Sequence, residues 1–542
     1  MQSIGFKNFR RFENLDPIEL SGITFFVGGN NAGKSTVVKA MMLMLDNMSS
    51  RSIILDNPSF FLDANRIHEV HIGTFGRALH KPYPEKKVFS LESVVNNYRI
   101  CYTVSGDTES SQANGEIMKI EVENIENNVL YTFDFVEAEA NIRFNTSVLK
   151  KYGSRKEDLR QAFVSHPKLL SDQEVLENLR AEIKRKKDEL DRTDDIVKSA
   201  RLNNDIEKLE NQIKNYENRF DPFEGKLKPR DESFSFNLEE FAFRSGDTFV
   251  SALLNSVSDR WDMLDYDTDF AESELIAESE SIDQETMWLI NKINKTSSNM
   301  AASDALALDI AIESNGIEYI SAHAATQKVL FSIEDKNDYM AGVIRDFMQC
   351  RISLGSEEDL FVQRWMKNLN IGLDYDISPI EGEAYTMNII NMRGEKMPLA
   401  DMGMGSIQMM ILLLKLATII NLEKGDNCIV IVEEPEQNVH PKLQSELAKL
   451  FQEVHKDYHF RFVIETHSEY MIRKTQAMIA TGEDGVSFEN NPFRVYYFPE
   501  NGEPYDMIYQ PNGLFEEKFG EGFFDEASRL QFEVMKKART SR

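Results

Sequence analysis

Nine consecutive residues, Gly28-Gly29-Asn30-Asn31-Ala32-Gly33-Lys34-Ser35-Thr36, constrain the fold of this chain more than any other stretch. They fit the pattern G-x-x-x-x-G-K-[ST]. A β-rich run at 23–27 leads in, and an amphipathic run at 37–45 leads out. Glycines let the backbone curl so that its N–H groups point inward, beside the positive end of the helix that follows. That concave surface fits phosphate oxygens. The expectation is therefore strand, loop and helix. Gly28, Asn30, Asn31, Gly33, Lys34, Ser35 and Thr36 would line a site for a nucleoside triphosphate with Mg²⁺. Lys34 would reach the β- and γ-phosphates, and the Ser35 hydroxyl would ligate the Mg²⁺.

At 542 residues the chain is long for a single core, so two or more lobes are expected. The longest apolar run, 407–422, carries Lys415 and is too short and interrupted to predict a membrane span, so no membrane partner is expected. The first six residues show no basic-then-apolar signal pattern. Cys101, Cys350 and Cys428 lie far apart and form no disulfide or metal pattern, which points to a reducing cytoplasm. The net charge of −29 weighs against a chain that coats nucleic acid by bulk attraction. Basic clusters at 184–187 and 226–230 read as solvated faces. An acidic tract at 265–285 reads as an exposed segment or a surface for a basic partner.

Three regions differ in texture. Residues 1–160 hold the phosphate loop followed by β-rich segments. Within 161–316 a helical insertion is expected. There, from about 173 to 220, glycine and proline vanish and charge rises. Apolar residues recur at Leu202, Ile206, Leu209, Ile213, Tyr216 and Phe220, in heptad steps of four and three. Leu176, Leu179, Ile183 and Leu190 form an earlier arm with the same seam. The registers do not join across 191–195, which leaves an antiparallel hairpin and one long helix both open. From 317 to 542 buried-looking strands alternate with helices. That pattern predicts an α/β fold with a largely parallel sheet.

Three further stretches carry chemistry. Cys428-Ile429-Val430-Ile431-Val432-Glu433-Glu434 is an apolar strand ending in two carboxylates. By position, Glu433 is the expected Mg²⁺ carboxylate and Glu434 the group that activates water. Phe462-Val463-Ile464-Glu465-Thr466-His467-Ser468 places a histidine at the end of the next strand, where parallel sheets bind ligands. His467 there can donate to a γ-phosphate. Asp401-Met402-Gly403-Met404-Gly405-Ser406 opens a helix with two glycines, which makes Gly403, Gly405 and Ser406 a second anion site. In a dimer it would cap the other subunit's nucleotide.

Taken in order, these motifs resemble ATP-binding-cassette ATPases of the SMC, RecF and OLD type, over residues 1–60 and 317–542. The resemblance implies a head of two lobes around a mostly parallel sheet, with a short coiled-coil insertion. Phe6-Lys7-Asn8-Phe9-Arg10-Arg11-Phe12 looks like that group's first strand, whose basic residues lie near the nucleotide. Glu433-Glu434-Pro435-Glu436-Gln437-Asn438-Val439-His440-Pro441 looks like the E-E-P-E-x-x-x-H-P run of the OLD-like branch. Gly522-Phe523-Phe524-Asp525-Glu526 looks like a tail motif of the branch holding the Septu and retron-associated antiphage ATPases. Glu433 stands where Asp is commoner, Met404-Gly405-Ser406 departs from the transporter signature, and no glutamine loop is found near 71–75. The resemblance implies a homodimer or higher homo-oligomer that senses or scaffolds for a separate HNH-type nuclease effector. The 75 residues after His467 are fewer than the ~100 of an added domain such as the Toprim nuclease of OLD proteins. The alternatives are a RecF- or SMC-like DNA-maintenance ATPase, and a chain in which ATP mainly holds an assembly together.

Overall fold

The structure, a computed structural model, describes residues 1–49, 58–63, 70–95, 98–124, 129–136, 139–144, 167–193, 196–220, 233–237, 250, 253, 317–321, 327–335, 338–422, 428–521 and 523–540. The basic cluster 226–230, the acidic tract 265–285 and Gly522 lie outside the described residues. By internal packing the chain divides into two units. One comprises Met1–Ile120, Gly246–Phe249 and Leu308–Arg542, and the other Glu121–Ser245 with Val250–Ala307.

In the first unit the chain begins with an antiparallel hairpin, β1 (Ser3–Phe9) and β2 (Phe12–Glu19), whose turn sets Phe9 opposite Phe12. Strand β3 (Ile23–Gly28) then runs into the phosphate loop and helix α1 (Lys34–Ser49). Strand β4 (Val88–Val95) lies antiparallel to β1. Later come β5 (Ile317–Ile320), α2 (Glu357–Asn368), α3 (Met404–Asn421), β6 (Ile429–Glu433), α4 (Pro441–Tyr458), β7 (Arg461–Thr466), α5 (Glu469–Thr481), β8 (Phe493–Phe498) and β9 (Tyr505–Asp506). The central sheet has the order β5-β6-β7-β3-β8-β9. All pairs in it are parallel except β8 with β9 at the edge. This is the α/β architecture with a mostly parallel core that the alternating strands and helices predict.

Every residue of β3 is buried, as are the first four of β6 and the last five of β7. Layers cover both faces of such strands, so their sequences read as mostly apolar runs, with Thr24 in β3 and Glu465 and Thr466 in β7 as buried exceptions. Helix α3 is apolar on all sides and packs into the same core as β3, β6 and β7. It is long and apolar enough to cross a membrane by length and composition, but here 72% of it is buried inside the protein. At about 25 cal/mol per Å² of apolar surface, each fully buried Leu or Ile contributes roughly 2 kcal/mol.

Two helix starts fix the chain where strands end. The His440 side chain caps α4 by accepting the Lys442 N–H, with Pro441 in the first turn. The Ser468 side chain accepts the Met471 N–H at the start of α5. Both are local devices that a sequence can announce.

In the second unit the heptad region folds as two helices, Pro167–Leu190 and Ile196–Phe220, which pack on each other. Leu176, Ile183, Leu202 and Ile206 are buried along the seam. Ion pairs Lys186–Asp205 (3.0 Å), Lys187–Glu210 (2.8 Å) and Lys198–Glu189 (2.9 Å) flank it. The hairpin is therefore the arrangement adopted, and two of the four residues in the basic run 184–187 are matched by acids on the opposite arm. The strands Val129–Val136, Glu139–Phe144 and Ser233–Asn237 pair antiparallel in that order.

Candidate functional site

The register of the central sheet brings the sequence motifs to one edge. Glu433 pairs with Glu465 across β6 and β7, and Thr466 pairs with Val27 across β7 and β3. The phosphate loop after β3, the two acids that end β6 and the histidine after β7 thus leave the sheet at its carboxyl ends, where ligands bind in open parallel sheets.

Within the loop, Lys34 is buried while Asn30, Asn31 and Ser35 are exposed. The Lys34 ammonium donates to the carbonyls of Gly28 and Gly29, each at 3.0 Å. It also lies 3.1 Å from His467 Nε2 and 3.8 Å from Glu465 Oε1. Burial pulls the Lys34 pKa down, and the carboxylates of Glu465, Glu434 and Glu436 oppose that pull. The Thr36 and Val37 N–H groups both donate to the Gly33 carbonyl and start α1. Gly33 has φ +109, and a Cβ there would lie 2.4 Å from the Phe12 ring, so this position needs glycine twice over. The β1–β2 turn reaches the same loop: the Arg11 guanidinium donates to the Asn31 carbonyl at 2.5 Å and to the Glu500 carbonyl.

After β6 the chain turns sharply. Glu434 adopts φ +40, and its N–H donates to the Glu465 carbonyl at 2.7 Å. A left-handed conformation is costly for a residue other than glycine and is held by its surroundings. The Glu434 carboxylate accepts from Gln437 Nε2 at 2.5 Å, and its other oxygen lies 3.7 Å from His467 Nε2. Burial and the nearby Lys34 lower the His467 pKa, which favours a neutral ring, while Glu434 pulls it upward. With Lys34 donating to Nε2, the ring proton belongs on Nδ1.

Two carboxylates that sequence reasoning left without a role join this cluster. Glu436 accepts the His467 backbone N–H at 2.6 Å, and burial pushes its carboxyl up. Glu465 accepts the Ser35 hydroxyl at 2.9 Å; burial pushes its pKa up to about 7, with Lys34 and Ser35 pulling down and Glu433 and Glu434 adding to the rise. The available signal was an acid within an apolar strand, two residues before His467, and a third acid in Glu433-Glu434-Pro435-Glu436.

The Gly403–Ser406 helix start packs on the turn that follows Glu434. A Cβ on Gly405 would fall 2.4 Å from the Asn438 carbonyl oxygen, whereas one on Gly403 would meet nothing within 4 Å. The Ser406 N–H donates to the Gly403 carbonyl at 2.9 Å.

A hydroxyl on Ser35 beside the carboxylates of Glu433 and Glu465 is an all-oxygen donor set, which fits a hard divalent cation such as Mg²⁺. One oxygen of Glu465 and one of Glu436 are buried without a hydrogen-bond partner. Among the described residues, no three His, Cys, Asp or Glu side chains are grouped to hold a metal by themselves. A Mg²⁺ here would draw its remaining oxygens from phosphate and water, as this ion commonly does.

A glycine loop between a buried strand and a helix, with a buried lysine, paired acids and a strand-end histidine around it, defines the class of nucleotide-binding α/β ATPase domains. Residues 1–472 match the family model of the AAA ATPase domain, and the chain belongs to that family. Among solved structures it is similar to an Smc head domain with an extended coiled coil bound to the C-terminal domain of ScpA, from Pyrococcus furiosus. The identity is 12%, over 98% of this chain and 99% of that one, with a TM-score of 0.31. It is also similar to an Smc head domain with a coiled coil and joint from Pyrococcus yayanosii (11% identity, 94% and 97% covered, TM-score 0.33). A third is the SMC head domain from Thermotoga maritima (8%, 94% and 98%, 0.32). No curated protein matches the chain.

Proposed function

We propose that this chain binds ATP with Mg²⁺ at the phosphate loop and hydrolyses it, acting as the sensor or scaffold subunit of an antiphage defence complex whose nuclease is a separate protein. The observation that carries the ATPase reading is the meeting of Lys34, Ser35, Glu434, Glu465 and His467 at one sheet edge, with distances of 2.9 to 3.8 Å between successive groups. In this reading Lys34 holds phosphate, Ser35 holds Mg²⁺, and Glu433 holds Mg²⁺ with it. Glu434 orients and deprotonates the attacking water, and neutral His467 contacts the γ-phosphate. Mg²⁺ supplies charge neutralisation to the phosphates when bound. The chain's own groups bind, orient and move the proton. The defence role rests on the resemblance of the 522–526 tail to the branch holding the Septu and retron-associated ATPases; the 433–441 run resembles the OLD-like branch more broadly.

The test is Glu434→Gln, which keeps the size of the side chain and removes its basicity. ATP affinity should stay within about threefold, while turnover falls on the order of 100-fold or more. Unchanged turnover would remove Glu434 from its role. A second reading is a DNA-maintenance ATPase: the helical hairpin Pro167–Leu190 and Ile196–Phe220 fits it, but arms of 24 and 25 residues are short for that role and the net charge of −29 weighs against it. Duplex DNA that stimulates turnover, with an effect that falls steeply as salt rises, would select it. No response to DNA, together with co-purification of an HNH-type nuclease from the native host, would select the defence reading.

A further inference from the structure

We propose that Glu465 is an acidic member of the Mg²⁺ site, in addition to Ser35 and Glu433. This deepens the ATPase reading and rests on it. Three independent observations converge on this carboxylate.

The first is register. Glu433 and Glu465 are direct partners on adjacent parallel strands. Partners in a parallel pair project to the same face, and neighbouring strands lie about 4.8 Å apart. The two acids therefore stand side by side on one face of the sheet edge. The second is the hydrogen bond from Ser35. That hydroxyl is the group the phosphate-loop pattern gives to the metal, and in this structure it donates to Glu465 Oε1 at 2.9 Å. A carboxylate that holds the metal's hydroxyl ligand lies within reach of the ion's coordination sphere. The third is the other oxygen. Glu465 Oε2 is buried and has no hydrogen-bond partner, although the residue is 5% exposed. Leaving such an oxygen unmatched costs free energy that a nearby cation or its bound water offsets.

A purely structural role, as counter-ion to Lys34, explains less. The Lys34 ammonium has closer partners in Gly28, Gly29 and His467, at 3.0, 3.0 and 3.1 Å, than in Glu465 at 3.8 Å. It also leaves Oε2 unexplained.

The experiment uses the full chain and a fluorescent ATP analogue, with its affinity measured as free Mg²⁺ is raised from zero in EDTA to 10 mM (~the usual working range for a Mg²⁺-nucleotide site). Mn²⁺ with ADP, followed by electron paramagnetic resonance, gives a second readout of the metal itself. For Glu465→Gln the Mg²⁺ concentration giving half the effect should rise roughly 10- to 100-fold, the range seen when groups supporting a metal site are lost. Binding in EDTA should stay within about threefold of the unsubstituted protein. Equal Mg²⁺ midpoints in the two proteins, with equal Mn²⁺ binding, would overturn the assignment. If Glu465→Gln does not fold, Glu465→Asp keeps the charge on a shorter arm and should show an intermediate midpoint; an unshifted midpoint there counts against the proposal. Failure of the underlying reading looks different. In that case the unsubstituted protein binds no nucleotide, or Lys34→Ala binds it equally well.

Discussion

At the scale of single residues, the site depends on side chains that touch each other rather than on any one group. Glu436 is the clearest case. Its carboxylate accepts the His467 N–H at 2.6 Å, so the turn after β6 holds the backbone from which the histidine projects. His467 in turn lies 3.1 Å from Lys34 and 3.7 Å from Glu434. Glu436→Ala would strand a backbone N–H, at a cost of about 1–3 kcal/mol, or let the histidine shift. Displacements near 1 Å cost on the order of 100-fold in rate. The expected outcome is a fall in kcat of roughly 10- to 100-fold with ATP affinity changed less than about threefold, since Lys34 keeps its carbonyl partners. Glu436→Gln, which retains an acceptor oxygen, should recover most of the loss. Steady-state kinetics beside equilibrium binding separates the two quantities, and a kcat that survives Glu436→Ala would show that His467 is held by other means.

At the scale of elements, helix α4 carries a titratable group whose environment sets a pH dependence. His455 Nδ1 donates to the Phe460 carbonyl at 2.7 Å, and its ring lies so close to Gly22 that a Cβ there would sit 2.4 Å from Nε2. Burial depresses the His455 pKa, as do the neighbouring His459 and Arg461, while the Phe460 carbonyl opposes them. The unfolded chain therefore takes up this proton first as pH falls. Stability from this group is full above about pH 6.5 and is lost as pH drops below that value through the lower folded pKa. Melting temperature should decline between about pH 7 and pH 5. Substituting Gln for His455 should flatten that decline, and an identical slope in the variant would rule His455 out as its source. The same scale shows what the sequence made legible. Strands β3, β6 and β7 were readable because burial on both faces leaves mostly apolar residues. Residue 465 was not, because its function depends on β7 lying between β6 and β3. That adjacency sets Glu465 against Ser35, 430 positions away, and no local pattern encodes it. Arg11 reaches Asn31 and the Glu500 carbonyl for the same non-local reason. The hairpin was left open because two good heptad arms are compatible with either topology until cross-arm pairs such as Lys186–Asp205 form.

At the scale of the whole molecule, the question is what the Gly403–Ser406 helix start serves. Gly405 packs on the Asn438 backbone of its own chain, in the turn four residues beyond Glu434. Gly403 is exposed, with open space where a side chain would be, and Ser406 is half-buried beside it. A helix N-terminus favours anions within its first turn. If that charge acts on a triphosphate, the simplest geometry is a two-fold pair of chains, each presenting its helix start to the nucleotide held by the other. ATP should then drive association. Glu434→Gln, which would slow turnover and preserve the bound ATP, should double its mass in ATP with Mg²⁺ and remain unpaired with Lys34→Ala added. Ser406→Arg should abolish the doubling while leaving monomeric ATP affinity within about threefold, because an arginine at a helix start opposes the macrodipole and blocks close approach. Mass photometry or sedimentation velocity reads each state directly. A Ser406→Arg protein that still pairs in ATP would place the interface elsewhere. A mass that stays at that of one chain with ATP in every variant would mean that one chain completes the site alone.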